Sequence, residues 1–175
     1  MPADYTFKVL MLGEASVGKT TLTHKYIRGV FVDNPRLTIG VDFFTKKIRI
    51  NEKKISLQIW DFGGEERFRF LLPTYTKGSN AAFFLYDITS KKSLDTIGDW
   101  LSIVRENAGN IPILLVGSKL DLEDHRKVSF EYAEKVSEKF ALADHIEVSA
   151  KTGENIEESF KTMVRMLMKN AGFEA

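Results

Sequence analysis

Eight residues near the N-terminus, GEASVGKT (13–20), have the spacing G-x-x-x-x-G-K-T, directly after an apolar run and directly before a helical pattern. The chemistry that this spacing suits is the holding of a polyphosphate. Gly13 and Gly18 let the backbone curl so that successive N–H groups point inward, and the helix N-terminus adds unpaired donors and a positive dipole end. Gly13, Ala15, Ser16, Val17, Gly18, Lys19, Thr20 and Thr21 are the expected phosphate contacts, with Lys19 reaching the β and γ phosphates. A triphosphate carries roughly four negative charges, so a hard divalent cation held by oxygen ligands is expected with it. Thr20 and Thr38 are the candidate direct ligands for Mg²⁺, and Asp61, at the end of a strand-like run, anchors the ion through water.

Two further loops read as a base site. GSKLDL (117–122) and VSAKTG (148–153) each follow a β-rich run, where ligands sit in open α/β sheets. Asp121 can accept from the N1–H and N2–H₂ edge of guanine, whereas adenine presents a lone pair at N1. Such a mismatch discriminates by roughly 10⁴-fold. The Ala150 N–H meets the guanine O6, the Lys119 and Lys151 stems cover the ring faces, and Phe31 stacks on the base edge; Ser118 and Ser149 complete the two loops.

The elements that must position these residues alternate from end to end. FKVLML (7–12), ISLQIW (55–60), AAFFLYD (81–87), IPILLVG (111–117) and HIEVS (145–149) are strand candidates, several apolar on both faces. Helical spacing recurs between them: residues 19–28, Leu94, Ile97, Leu101 and Val104 within one helix, and Ile156, Phe160, Met163 and Leu167 in the last. That alternation predicts an α/β protein, its mostly parallel sheet covered by helices on both faces. VDFFTKKIRI (41–50) and ISLQIW are joined by NEKK, too short for a parallel crossover, so an antiparallel hairpin at one sheet edge is expected. Lys46, Lys47, Arg49, Lys53 and Lys54 on it read as a solvated edge that discourages strand addition, with an acidic-partner patch as the other reading.

At 175 residues, without repeats or linkers, the chain reads as one domain spanning 1–175. It has no cysteine, which removes disulfides, thiolate metal sites and cysteine lipidation of this chain. No apolar run reaches the ~20 residues of a membrane span, and MPADYTFKVL lacks the n- and h-regions of a secretory signal, so a cytoplasmic location is expected. The net charge of +1 gives no reason to expect nucleic acid. His24, His125 and His145 are scattered and read as structural or solvated, and Asp121, Glu123 and Asp124 as a solvated acidic turn.

Taken together, GEASVGKT, Thr38, DFGG (61–64), SKLD (118–121) and SAK (149–151) resemble the motifs of the Ras-like small GTPases, in order and approximate spacing, from about Thr6 to Lys169. TIGVDF (38–43), LQIWD (57–61), ERFR (66–69), YDIT (86–89) and GENIEESF (153–160) are similar to phrases of the Rab branch. The resemblance implies a P-loop NTPase, a Ras-like G domain (core 6–169) with a six-stranded sheet in the order 2-3-1-4-5-6 and one antiparallel edge strand. It implies a monomeric GTP/GDP switch, with Phe31–Val41 and Phe62–Lys77 held through Thr38 and the Gly64 N–H on the γ-phosphate. An exchange factor, an activating protein and effectors would read residues 31–44 and 60–77, above all Ile39–Phe44, Trp60 and Phe68–Leu72, in the cytoplasm or at a membrane periphery. A buried core role is the competing expectation for Phe43 and Trp60.

Three positions depart from the family pattern. Ser118 replaces an asparagine that bonds both base and phosphate loop, predicting weaker binding and faster exchange; Thr76 replaces the second aromatic of a Rab-typical pair. Glu65 stands where the family has its catalytic glutamine, and an ionised carboxylate only accepts hydrogen bonds. It can be protonated and mimic glutamine, act as general base, or turn away to the start of the next helix. Slow hydrolysis by Glu65, Lys19 and Gly64 is the leading expectation, with an arginine supplied by a partner past the small Ala15. The alternatives are a binding module driven by exchange with little hydrolysis, and an ATP-using enzyme, which Asp121 and SAK disfavour.

Overall fold

The structure, a computed structural model, describes residues 2–33 and 37–173. The expected switch Phe31–Val41 and partner stretch 31–44 therefore contain positions 34–36 that lie outside the described residues, as do the ends of the 1–175 domain span.

Six strands form one sheet in the order β2-β3-β1-β4-β5-β6: β1 (Tyr5–Leu12), β2 (Val41–Ile50), β3 (Lys53–Phe62), β4 (Ala81–Asp87), β5 (Ile113–Ser118) and β6 (Asp144–Glu147). All neighbours run parallel except β2 and β3, which pair antiparallel from Val41↔Phe62 to Ile50↔Lys53. This is the expected order and the expected edge hairpin, closed by a two-residue turn in which Asn51 takes a positive φ of 52°. Central β4 is buried at every residue, which is why its sequence shows no alternation.

Strand periodicity divides the core. On one face, Val9, Met11, Leu57, Phe83 and Val116 meet α1 (Lys19–Arg28) and α6 (Ile156–Asn170). There Tyr26 stacks on Phe160 with centroids 3.6 Å apart. On the other face Leu10, Leu12, Phe84 and Leu115 pack under α2 (Leu72–Thr76), α3 (Lys91–Asp95), α4 (Ile97–Ala108) and α5 (Phe130–Lys139).

The single helix expected through Leu94 and Val104 is two. Ser90 accepts from the Ser93 N–H to start α3, and the chain leaves helical geometry at Thr96 before α4 begins. All four of its apolar positions are nevertheless buried. His145 is structural, enclosed between the Tyr86 hydroxyl at 2.7 Å and Glu134 at 2.9 Å. No helix among the described residues is long and apolar enough to cross a membrane. The C-terminal ends of β1, β3, β5 and β6 come out along one rim, and the motif residues follow them.

Candidate nucleotide and cation site

The loop after β1 turns tightly into α1. Gly13 has φ 141° and Gly18 φ 100°, and a Cβ on Gly13 would collide with the Leu85 carbonyl, so the chain passes hard against β4. Lys19, the first residue of α1, folds back and donates to the Gly13 and Glu14 carbonyls at 2.8 and 2.7 Å. Burial lowers its pKa to about 8, against the opposing pull of Asp61 and Glu14. The ammonium is thus held across the loop by the loop's own carbonyls.

Beside that loop lies a cavity of about 410 Å³, within the range of small-molecule sites. Its walls contain Ala15 through Thr21, Phe31, Thr38, Gly64, Glu65, Ser118, Lys119, Asp121, Ala150 and Lys151, every one of them singled out by the sequence. Gly13, Asp61 and Ser149 stand behind the walls instead and position others. Gly13 supplies a carbonyl to Lys19, and the Ser149 hydroxyl donates to Asp121 Oδ1 at 2.7 Å. Leu22, Val32, Asp33, Leu37, Phe62, Leu122 and Val148 also line the cavity. None was picked as a contact; all but Leu22 lie within the switch stretches or base loops that the sequence marked out.

Three oxygens converge below the phosphate loop. Thr20 Oγ1 and Thr38 Oγ1 are 2.8 Å apart, Thr20 donates to Asp61 Oδ2, and Thr38 donates to the same oxygen at 3.4 Å. Asp61 is fully buried, and its Oδ1 has no hydrogen-bond partner. Burial raises its pKa, opposed by the Thr20 hydrogen bond and by Lys19. A buried carboxylate with an orphaned oxygen beside two hydroxyls is a donor set suited to a hard, oxygen-seeking cation such as Mg²⁺.

The third loop follows β3. A Cβ on Gly64 would collide with the backbone of Glu14 and Ala15, so only glycine permits this approach to the phosphate loop. Glu65 begins the 3-10 turn 66–71, its carbonyl accepting from the Phe68 N–H at 2.9 Å, but its side chain makes no capping bond. The carboxylate instead pairs with Arg67 Nε at 2.7 Å. The expected helix-start role therefore falls to the backbone of Glu65, and its charge is spent on Arg67.

At the base end, Ser118 keeps one of the two tasks expected of an asparagine there. Its hydroxyl donates to the Val17 carbonyl at 2.5 Å and lies 3.0 Å from the Tyr86 carbonyl. Lys119 reaches back over the loop to the Ser16 carbonyl at 3.0 Å and to Asp87 at 2.8 Å. Thr76 is buried with an unpartnered hydroxyl, yet an aromatic cluster survives through its neighbour. Trp60 lies 5.3 Å from Phe43 and 5.6 Å from Tyr75. Phe43 is 47% exposed, so the core role is not its role; Ile39 and Phe70 are exposed further, at 79% and 73%.

A phosphate-holding loop after the first strand of a doubly covered parallel sheet, with a base-type cavity at the same rim, defines a phosphate-loop nucleotide-binding protein. Sequence comparison narrows the class: the Ras family matches residues 8–169, and the chain belongs to that family. It is 38% identical to the Ras-related protein Rab-19 of Xenopus laevis over 139 residues, 79% of this chain and 65% of that protein. It is 43% identical to the human Ras-related protein Rab-30 over 136 residues, 77% of this chain and 67% of that one. Over 132 residues it is 44% identical to the GTP-binding protein ypt3 of Schizosaccharomyces pombe, 75% of this chain and 62% of the other. The chain thus spans about two-thirds of the length of these relatives, on the Rab side of the family.

Proposed function

We propose that this protein is a Rab-like small GTPase, a switch that binds GTP or GDP together with Mg²⁺, hydrolyses GTP slowly, and works in membrane trafficking. The observation that carries the reading is convergence. Lys19, Thr20, Thr38 and Asp121 line one cavity, with Asp61 behind the two threonines and Ser149 behind Asp121. The backbone donors of 13–20 and the Lys19 ammonium hold the phosphates, and Asp121, oriented by Ser149, takes the N1 and N2 edge of guanine. Thr20 and Thr38 would hold the cation directly and Asp61 through water; when bound it neutralises charge on the β- and γ-oxygens.

Hydrolysis needs a water in line with the γ-phosphate. Glu65 lines the cavity beside that position and can accept the water's proton once it parts from Arg67. Loss of the γ-phosphate would release the contacts of Thr38 and the Gly64 N–H, loosening both loops. Regulators and effectors would read that change at the exposed Ile39, Phe43 and Phe70. A monomeric cytoplasmic protein acting at membrane surfaces completes the proposal.

One observation favours a second reading, in which the protein binds and exchanges but barely hydrolyses. The Glu65–Arg67 pair occupies one oxygen of the carboxylate that the first reading leaves to the attacking water. The test is competition of GTP, GDP and ATP for a fluorescent nucleotide, with Mg²⁺ and with chelator, followed by single-turnover hydrolysis. Guanine-selective, Mg²⁺-dependent binding with slow phosphate release is expected. Equal competition by ATP would sink the proposal, and binding without release would leave the second reading.

A further inference from the structure

We propose that the turn end of the β2–β3 hairpin holds a second anion site, one that takes a phosphomonoester, either free or as the headgroup of a lipid. It lies apart from the nucleotide site and does not depend on that reading.

Register and alternation bring three cations together. Arg49 pairs directly with Lys54 across the antiparallel ladder, and Lys47 pairs with Ser56 at the next position of the same face. Like charges directly opposite one another weaken a sheet, so the arrangement costs stability unless an anion lies between them. Guarding a free edge accounts for Lys47 and Arg49 on the outer strand, but not for Lys54. Strand β3 lies between β2 and β1 and has no free edge.

A cavity of about 260 Å³ opens at the same place, walled by Ala3, Lys47, Ile48, Arg49, Lys54 and Ile55. No carboxylate is among its walls. Among the described residues neither Lys47 nor Arg49 forms an ion pair, and both are exposed. The Asp4 carboxylate beside them accepts from the Lys54 backbone N–H at 2.7 Å. The volume falls below that of drug-sized sites and suits one small, highly charged group. Arg49 offers a planar fork to two oxygens of a phosphate, and the lysines add point charges.

Nothing at the nucleotide rim competes for this place. On this face of the sheet the core takes in the hairpin only at the rim, through Phe62 with Val41 and Trp60 against it. From Lys54 to Asp61 the strand runs about 23 Å, so both sites can be filled at once. Lys46 and Lys53 belong to the same hairpin but do not line the cavity, and Lys46 lies over the Tyr26 ring instead.

The experiment is an NMR titration of the chain, kept in GDP and Mg²⁺, with inositol trisphosphate, read at the amides of residues 46–56. Flotation follows with phosphatidylcholine vesicles doped with phosphatidylinositol bisphosphate or with phosphatidylserine. Saturable shifts at 46–56 that weaken as salt is raised are expected. Lys47→Ala and Arg49→Ala should each lower affinity about three- to tenfold, and Lys53→Ala should leave it within about twofold. Capture by the bisphosphate vesicles that is lost in Lys47→Ala and Arg49→Ala makes the occupant a lipid headgroup. Binding of the soluble trisphosphate alone makes it a free phosphomonoester. The proposal is overturned by shifts confined to 13–20, by no shift at 46–56, or by equal losses in Lys53→Ala and Arg49→Ala. Equal capture by phosphatidylserine vesicles overturns it too, since that is diffuse charge and no pocket.

Discussion

Arg69 donates from Nη2 to Glu14 Oε1 at 2.6 Å, tying the start of the phosphate loop to the 3-10 turn that follows Glu65. The same oxygen accepts from Thr96 Oγ1 at 2.6 Å and Trp100 Nε1 at 3.2 Å, and the guanidinium lies 5.0 Å from the centre of the Trp100 ring. A carboxylate is an odd choice next to a polyphosphate, and this arrangement resolves it: the charge points away, into Arg69.

Removing that carboxylate strands several donors. Glu14→Ala is expected to destabilise by about 1–2 kcal/mol, the low part of the range for lost charged hydrogen bonds, because both side chains are about a quarter exposed. Urea unfolding measures it. Amide exchange should accelerate over residues 66–76 and little elsewhere. Arg69→Ala should resemble it, and the double variant should cost clearly less than the sum.

Lys19 makes stability and affinity respond to pH in opposite directions. Its pKa in the fold is about 8 against an ordinary 10.5, so between those values the unfolded chain binds more protons. Stability therefore rises with pH across that window and is flat below it. Phosphates beside the ammonium restore a higher pKa, so nucleotide binding takes up a proton and affinity falls by as much as about tenfold per pH unit. Denaturant midpoints and nucleotide Kd from pH 7.5 to 9 check both signs. Lys19→Met should remove the slope of stability.

Asp61 separates the cation from the fold. Asp61→Asn keeps the shape but removes a buried charge whose Oδ1 has no partner. The nucleotide-free protein should be no less stable, while nucleotide retention loses its Mg²⁺ dependence. Chelator should speed GDP release from wild type by about tenfold or more and from Asp61→Asn only slightly. The raised pKa of Asp61 adds a sign. Mg²⁺ must compete with a proton, so its affinity falls as the medium is acidified.

How much of this could be read from the chain follows from what each residue interacts with. The α/β alternation, the edge hairpin and the phosphate loop were legible because phosphate loops and buried parallel strands impose local spacing, as GEASVGKT and AAFFLYD do, whereas the strand order came only with the resemblance to the Ras-like family. The break at Thr96 was hidden because the apolar positions on either side keep one helical phase. Glu14 occupies a free position of its motif, and its partners lie 55, 82 and 86 residues away. Thr76 could be seen to replace an aromatic, but not that Tyr75 would keep the contact with Trp60. Arg67, read in the sequence only as part of ERFR (66–69), acquires its role from a side-chain direction that no spacing encodes.

That direction decides how Glu65 behaves. A glutamine both donates to and accepts from a water, whereas an ionised carboxylate only accepts, and one of its two oxygens is held by Arg67 at 2.7 Å. Both groups are exposed enough that the pair is worth little, about 0–1 kcal/mol, so it parts readily. In single-turnover hydrolysis with Mg²⁺, wild type is expected to be slow and Glu65→Gln about tenfold faster. Glu65→Ala should fall at least tenfold below wild type, short of the roughly 10²-fold that a fully positioned acid–base group supplies, because Arg67 holds the carboxylate part of the time. Arg67→Ala should speed wild type several-fold by freeing the carboxylate, yet leave Glu65→Ala unchanged. Equal rates in Glu65→Ala and wild type would mean that Glu65 never touches the water, and that its carboxylate serves only to hold Arg67 at the start of the turn.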